Sequence, residues 1–139
     1  MERPIQTGRR QETRGFTFIE MMVVVTVIVV LISMAIPMYN RAMIRSKESV
    51  LASNLFTLRT VIQHYSYDKA RAPHSLQDLV SEGYLRSVPV DPMTGTNQTW
   101  QTVMEPPGSG VDQSNPGIFD VKSGSEKTSP LEGTNYSDW

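Results

Sequence analysis

The hydrophobic pattern changes character twice along the chain. From Gly15 to Met38 (GFTFIEMMVVVTVIVVLISMAIPM) nearly every position is apolar, and only Glu20 is charged. That run exceeds the roughly 20 helical residues needed to cross a hydrocarbon core about 30 Å thick. Hydrocarbon offers the backbone no water to bond with, so the run predicts a membrane helix over 16–38. From Tyr39 polar residues enter. Leu51, Leu55, Leu58, Ile62 and Tyr65 then recur at intervals of 4, 3, 4 and 3, which draws one stripe along an amphipathic helix. Met43, Val50, Phe56 and Val61 widen the stripe, and Arg45, Lys47, Glu48, Asn54 and Arg59 fall on the side assigned to solvent. Pro73 ends the pattern near Ala70.

One long helix is therefore expected, apolar all round over 16–38 and striped over 39–72. Pro37 lies near the join. It removes a donor and disfavours helical geometry at Ile36, which predicts a kink or a locally melted stretch.

Behind the helix, residues 73–139 show shorter signals. His74 to Tyr84 reads as a short helix, with Ser75 as N-cap, Asp78 three positions later in a capping-box relation, and Gly83 as the stop. Its core side is Leu76, Leu79, Val80 and Leu85. Val88 to Gly95 is a proline-punctuated connector. Thr99–Met104 and Ile118–Lys122 read as strands, with Trp100 a core candidate and a loop between them. Two strands are marginal alone, so they should pack on the striped helix. The fold class is α+β. The tail after Ser123 is polar, pinned by Leu131, Tyr136 and Trp139.

Charge sharpens this division. Across 139 residues the net charge is −1, which gives no general attraction to nucleic acid. Arg3, Arg9, Arg10 and Arg14 cluster before the apolar run, and Arg41, Arg45 and Lys47 after it. Without cysteine the chain has neither disulfides nor thiolate metal sites. His64 and His74 lack partners for a catalytic or metal site, and Asp91, Asp112 and Asp120 suit turns and loops. No nucleophile elbow, phosphate loop or zinc spacing is present, so nothing points to an enzyme. A secretory signal cut near Ser33-Met34-Ala35 finds only a weak small-residue site.

A carboxylate inside an apolar run asks for a reason, because an unpaired charge there is costly. The residues around it carry a specific pattern. Arg14-Gly15-Phe16-Thr17-Phe18-Ile19-Glu20, followed by the valine-rich run, Pro37 and Tyr39, resembles the processing site of type IV prepilins and type II secretion pseudopilins. The order of elements behind it, with Gly83-Tyr84-Leu85 and Asp91-Pro92, is similar to the G-type major pseudopilins.

The resemblance implies a type IV pilin-like fold. It also implies that residues 1–15 are a leader which prepilin peptidase removes after Gly15, methylating the new terminus at Phe16. Glycine allows close approach of the peptidase to the backbone. Phe16 and Glu20, one helical turn apart, would let the carboxylate meet the amine of an adjacent copy. The implied role is a filament subunit for protein export, single-pass in the bacterial inner membrane with its C-terminal domain in the periplasm. Implied partners are further copies of itself, other pseudopilins and an inner-membrane assembly platform. A surface pilus subunit is the alternative, then a membrane-anchored binding module that is never cut. Many G-type relatives hold calcium in the tail. The oxygens here are those of Ser125, Glu126, Glu132 and Asp138, with few carboxylates clustered for an ion that takes about 6–8 oxygens.

Overall fold

The computed structural model describes residues 15–108 and 115–139; residues 1–14 of the expected leader 1–15, and Asp112, lie outside the described residues. Helix α1 (Phe18–Lys69) is followed by α2 (Leu76–Ser81), strands β1 (Gln101–Met104) and β2 (Ile118–Lys122), and a short 3-10 turn at Tyr136–Asp138. This is the α+β arrangement expected of a type IV pilin-like chain. Two compact units divide it, one ending at Asn40 and one beginning at Arg41.

The first unit contains the apolar front of α1. Its side chains, from Phe16 to Tyr39, are exposed, and this stretch is long and apolar enough to cross a membrane. Two hydroxyls within it are internally satisfied: Thr26 donates to the Met22 carbonyl at 2.8 Å and Ser33 to the Val29 carbonyl at 2.7 Å. Pro37 stands inside the helix, which runs across it without a break. The melted stretch expected there is not seen.

In the second unit the core follows the stripe. Leu51, Leu55, Leu58, Ile62 and Tyr65 are all buried, and they form one cluster with Leu79, Trp100, Ile118, Val121 and Tyr136. The margins behave differently. Val61 packs against the cluster, but Val50 is 48% and Phe56 73% exposed. The helix ends where Ala70 takes a left-handed φ of 52°, three residues before Pro73.

Helix α2 begins on a full capping box. The Ser75 hydroxyl accepts from the Asp78 N–H at 3.2 Å, and the Asp78 carboxylate accepts from the Ser75 N–H at 2.9 Å. Leu79 is fully buried, with Leu76 and Leu85 packed against the core. Tyr84 meets Tyr65 edge-on at 5.2 Å and donates to Asp68 at 3.1 Å.

Strands β1 and β2 are antiparallel, Gln101 opposite Lys122, with an irregularity at Val103/Met104. Val103 faces Asp120 but Met104 faces Ile118, so Phe119 is the extra residue of a bulge. The bulge shifts the alternation of β2. Ile118 and Val121 are both buried although three apart, and Phe119 is left 64% exposed. Strand β1 begins two residues later than expected; Trp100 just before it is buried, its indole donating to the Pro89 carbonyl at 2.8 Å.

Candidate assembly site

The head of α1 carries the residues that the sequence singles out. Gly15, Phe16 and Thr17 precede the helix, which starts at Phe18. A Cβ on Gly15 would meet nothing within 4 Å. The fold therefore sets no demand for glycine here, and any such demand must come from outside the chain. Phe16 is 76% exposed.

Thr17 and Glu20 form a second capping box, with long bonds. The Glu20 N–H donates to the Thr17 hydroxyl at 3.3 Å, and the Thr17 N–H reaches a Glu20 carboxylate oxygen at 3.5 Å. Glu20 thus turns back toward its own helix start, where the first backbone N–H groups lack helical partners and favour negative charge. Phe16 lies outside the helix, so the one-turn geometry between Phe16 and Glu20 is not formed in this chain. The Thr17-x-x-Glu20 spacing is a capping-box signature that could have been read from the sequence.

The tail is organised by a different acid. Glu48, assigned to the solvated side of α1, is 7% exposed. One of its carboxylate oxygens accepts from the Ser129 hydroxyl at 2.6 Å and from the Tyr136 hydroxyl at 2.8 Å. Burial, and then the bond to Glu48, push the Tyr136 phenol above its ordinary value. Two more polar residues of the same helix turn inward. Arg59 donates to Asp120 at 2.6 Å and to the carbonyls of Val121 and Trp139 at 3.1 and 2.6 Å. Asn54 donates to the Val90 carbonyl at 3.0 Å. Leu131, expected to pin the tail, is 43% exposed; the polar ties do that work.

The four residues put forward for calcium do not converge. Ser125 is buried and its hydroxyl accepts from the Lys127 N–H at 3.4 Å, whereas Glu126, Glu132 and Asp138 are exposed. Among the described residues no group of three or more His, Asp or Glu side chains is placed to hold a metal ion. Asp91, read as a turn residue, is fully buried and accepts from the Ser123 hydroxyl at 2.6 Å and the Met93 N–H at 2.8 Å.

Residues 10–36 match the prokaryotic N-terminal methylation motif. A type II secretion system core protein G of Klebsiella michiganensis is 29% identical over 106 residues, covering 65% of this chain and 75% of that protein. A second protein of that description, from Klebsiella pneumoniae, is 32% identical over 98 residues, covering 59% of this chain and 70% of its own length. The chain belongs to the type II secretion system core protein G family. The type IV major pilin PilA of Myxococcus xanthus is 41% identical over 58 residues, but this covers only 42% of the present chain and 26% of the pilin. No solved structure matches. In this core protein G relative Gly15, Phe16 and Glu20 all lie inside that motif, at the head of a membrane-length helix.

Proposed function

We propose that this core protein G family member is a structural subunit, cut after Gly15, methylated on Phe16 and polymerised through its apolar front helix into a short filament that drives protein export. The observation that carries the reading is the Gly15-Phe16…Glu20 sequence at the head of a membrane-length helix, inside the methylation motif. Prepilin peptidase makes the cut. Removal of Arg3, Arg9, Arg10 and Arg14 strips the cationic flank that holds this end on the cytoplasmic side of the inner membrane, leaving the second unit in the periplasm. The new amine at Phe16 is the counter-charge for Glu20 of an adjacent copy, and helix packing replaces lipid contacts along the apolar run. An assembly platform in the same membrane, together with other pseudopilins, supplies the growing end. The role is structural rather than catalytic. The Glu48 bonds to Ser129 and Tyr136 fasten the tail to α1.

A surface pilus subunit is the second reading, favoured by the match to PilA. The match covers about a quarter of that pilin, which keeps the export reading ahead. Gly15→Val tests the proposal without disturbing the fold, since the space around Gly15 is open. In cells carrying the secretion machinery, this variant is expected to retain its leader, and sheared filaments and exported protein should both disappear. Filaments and export at wild-type levels from an uncut Gly15→Val chain would overturn the reading.

A further inference from the structure

The face of α1 turned away from the core in the second unit carries little charge. A solvated helix face normally carries Lys, Arg, Glu or Asp. From Ser49 to Tyr67 the only such residue is Arg59, and its guanidinium is turned to Asp120, Val121 and Trp139. Along the outer face run Arg45, Ser49, Ala52, Phe56, Gln63 and Tyr67. Two large aromatics stand there in water, Phe56 at 73% and Tyr67 at 90% exposure. Beside Tyr67 opens an apolar groove of ≈ 440 Å³, formed by Ile62, Ser66, Ala70, Ile118 and Phe119 with Glu105 as its acidic member.

The spacing ties these features together. Arg45, Phe56 and Tyr67 are each eleven residues apart. Eleven residues make about three helical turns and a rise of about 16 Å, so the three side chains stand in one row. A second α1 shifted by that rise places its Phe56 at the level of the first copy's Tyr67 and groove, and its Arg45 at the level of the first copy's Phe56. A benzyl side chain fits an apolar groove. A guanidinium is attracted to an aromatic face, and Arg45 forms no ion pair among the described residues.

We propose that this face is an interface between successive copies of this chain, in which Phe56 of one copy enters the groove beside Tyr67 of the next while its Arg45 stacks on that neighbour's Phe56. The arrangement rests on the filament reading above and adds to it a contact between the second units. It is a head-to-tail contact, with knob and hole on different parts of the surface, so it propagates instead of closing into a dimer.

The chain has no cysteine, so single introduced thiols report cleanly. Cells with the secretion machinery would co-produce a Phe56→Cys chain and a Ser66→Cys chain carrying a different tag, and filaments would be treated with a short bismaleimide. A covalent dimer containing both tags is expected at least fivefold above a pairing of Phe56→Cys with Lys127→Cys. Filaments that form but give no such dimer, or that cross-link position 56 to another protein, overturn the interface while leaving the filament reading intact. Wild-type cells that form no filament overturn both. In parallel, full-length Phe56→Ser should melt at the wild-type temperature in detergent but lower filament yield at least fivefold, with Phe56→Leu restoring it. Wild-type yield from Phe56→Ser would also overturn the interface.

Discussion

Glu20 sits three residues after Thr17 at a helix start, and capping alone would justify a carboxylate there. Two substitutions separate capping from charge pairing. Glutamine also caps but has no charge to offer an amine; alanine does neither. Incorporation into filaments is therefore expected to fall about equally in Glu20→Gln and Glu20→Ala. Normal incorporation of Glu20→Gln would show that only the cap matters. Ala70 is a second informative residue. Its φ of 52° is a conformation that costs a non-glycine residue about 1–2 kcal/mol. Part of that gain is lost to the greater freedom of glycine in the unfolded chain, so Ala70→Gly should stabilise the solubilised protein by about 0.5–1 kcal/mol, measured as a raised denaturation midpoint. At this scale the sequence was uneven. It marked Gly15, Phe16 and Glu20 through motif, and Leu51 through Tyr65 through period. It misplaced Glu48, because helical spacing gives an angle and says nothing of a tyrosine 88 positions later that bends back to meet it.

Element boundaries were legible where local chemistry decides them. Ser75 and Asp78 predict their own capping box, and both bonds are present. Burial works against the Asp78 charge, but bonds from the Ser75 hydroxyl and the Ser75 and His74 N–H groups outweigh it and hold the carboxyl below its ordinary value. A depressed carboxylate contributes stability that is complete above its unfolded pKa of about 4 and is lost as pH falls through the lower folded value. Asp78→Asn should therefore cost on the order of 1 kcal/mol at pH 7 and flatten the acid limb of the stability curve below about pH 4. An unchanged acid limb in pH-dependent melting would refute this. The β2 bulge was not legible. Ile118-Phe-Asp-Val-Lys122 reads as plain alternation, and only pairing with β1 reveals that Phe119 is the extra residue and that Ile118 and Val121 share the buried side. Pro37 shows the reverse case, a strong local breaker held within a continuous helix.

Across the second unit, the tail is fastened to α1 by polar bonds laid over an apolar core. Glu48→Ala would leave the Ser129 and Tyr136 hydroxyls, both on buried residues, without their acceptor. Each unsatisfied buried group costs about 1–3 kcal/mol, so a loss of at least about 2 kcal/mol is expected in denaturant unfolding. Chelator should leave the melting temperature unchanged, because the tail's carboxylates do not gather around a common point. Among its described residues the first unit has no such internal support. Its apolar surface is exposed from Phe16 to Tyr39, and the proposed function covers it with lipid or with other copies. In the proposed function the transition between those two surroundings begins with a cut after Gly15, and the most direct test is the intact mass of the protein extracted from membranes of cells with the secretion machinery. The account predicts a chain starting at Phe16 and heavier by one methyl group. A functional chain that still carries Gly15 and the arginines before it would contradict it.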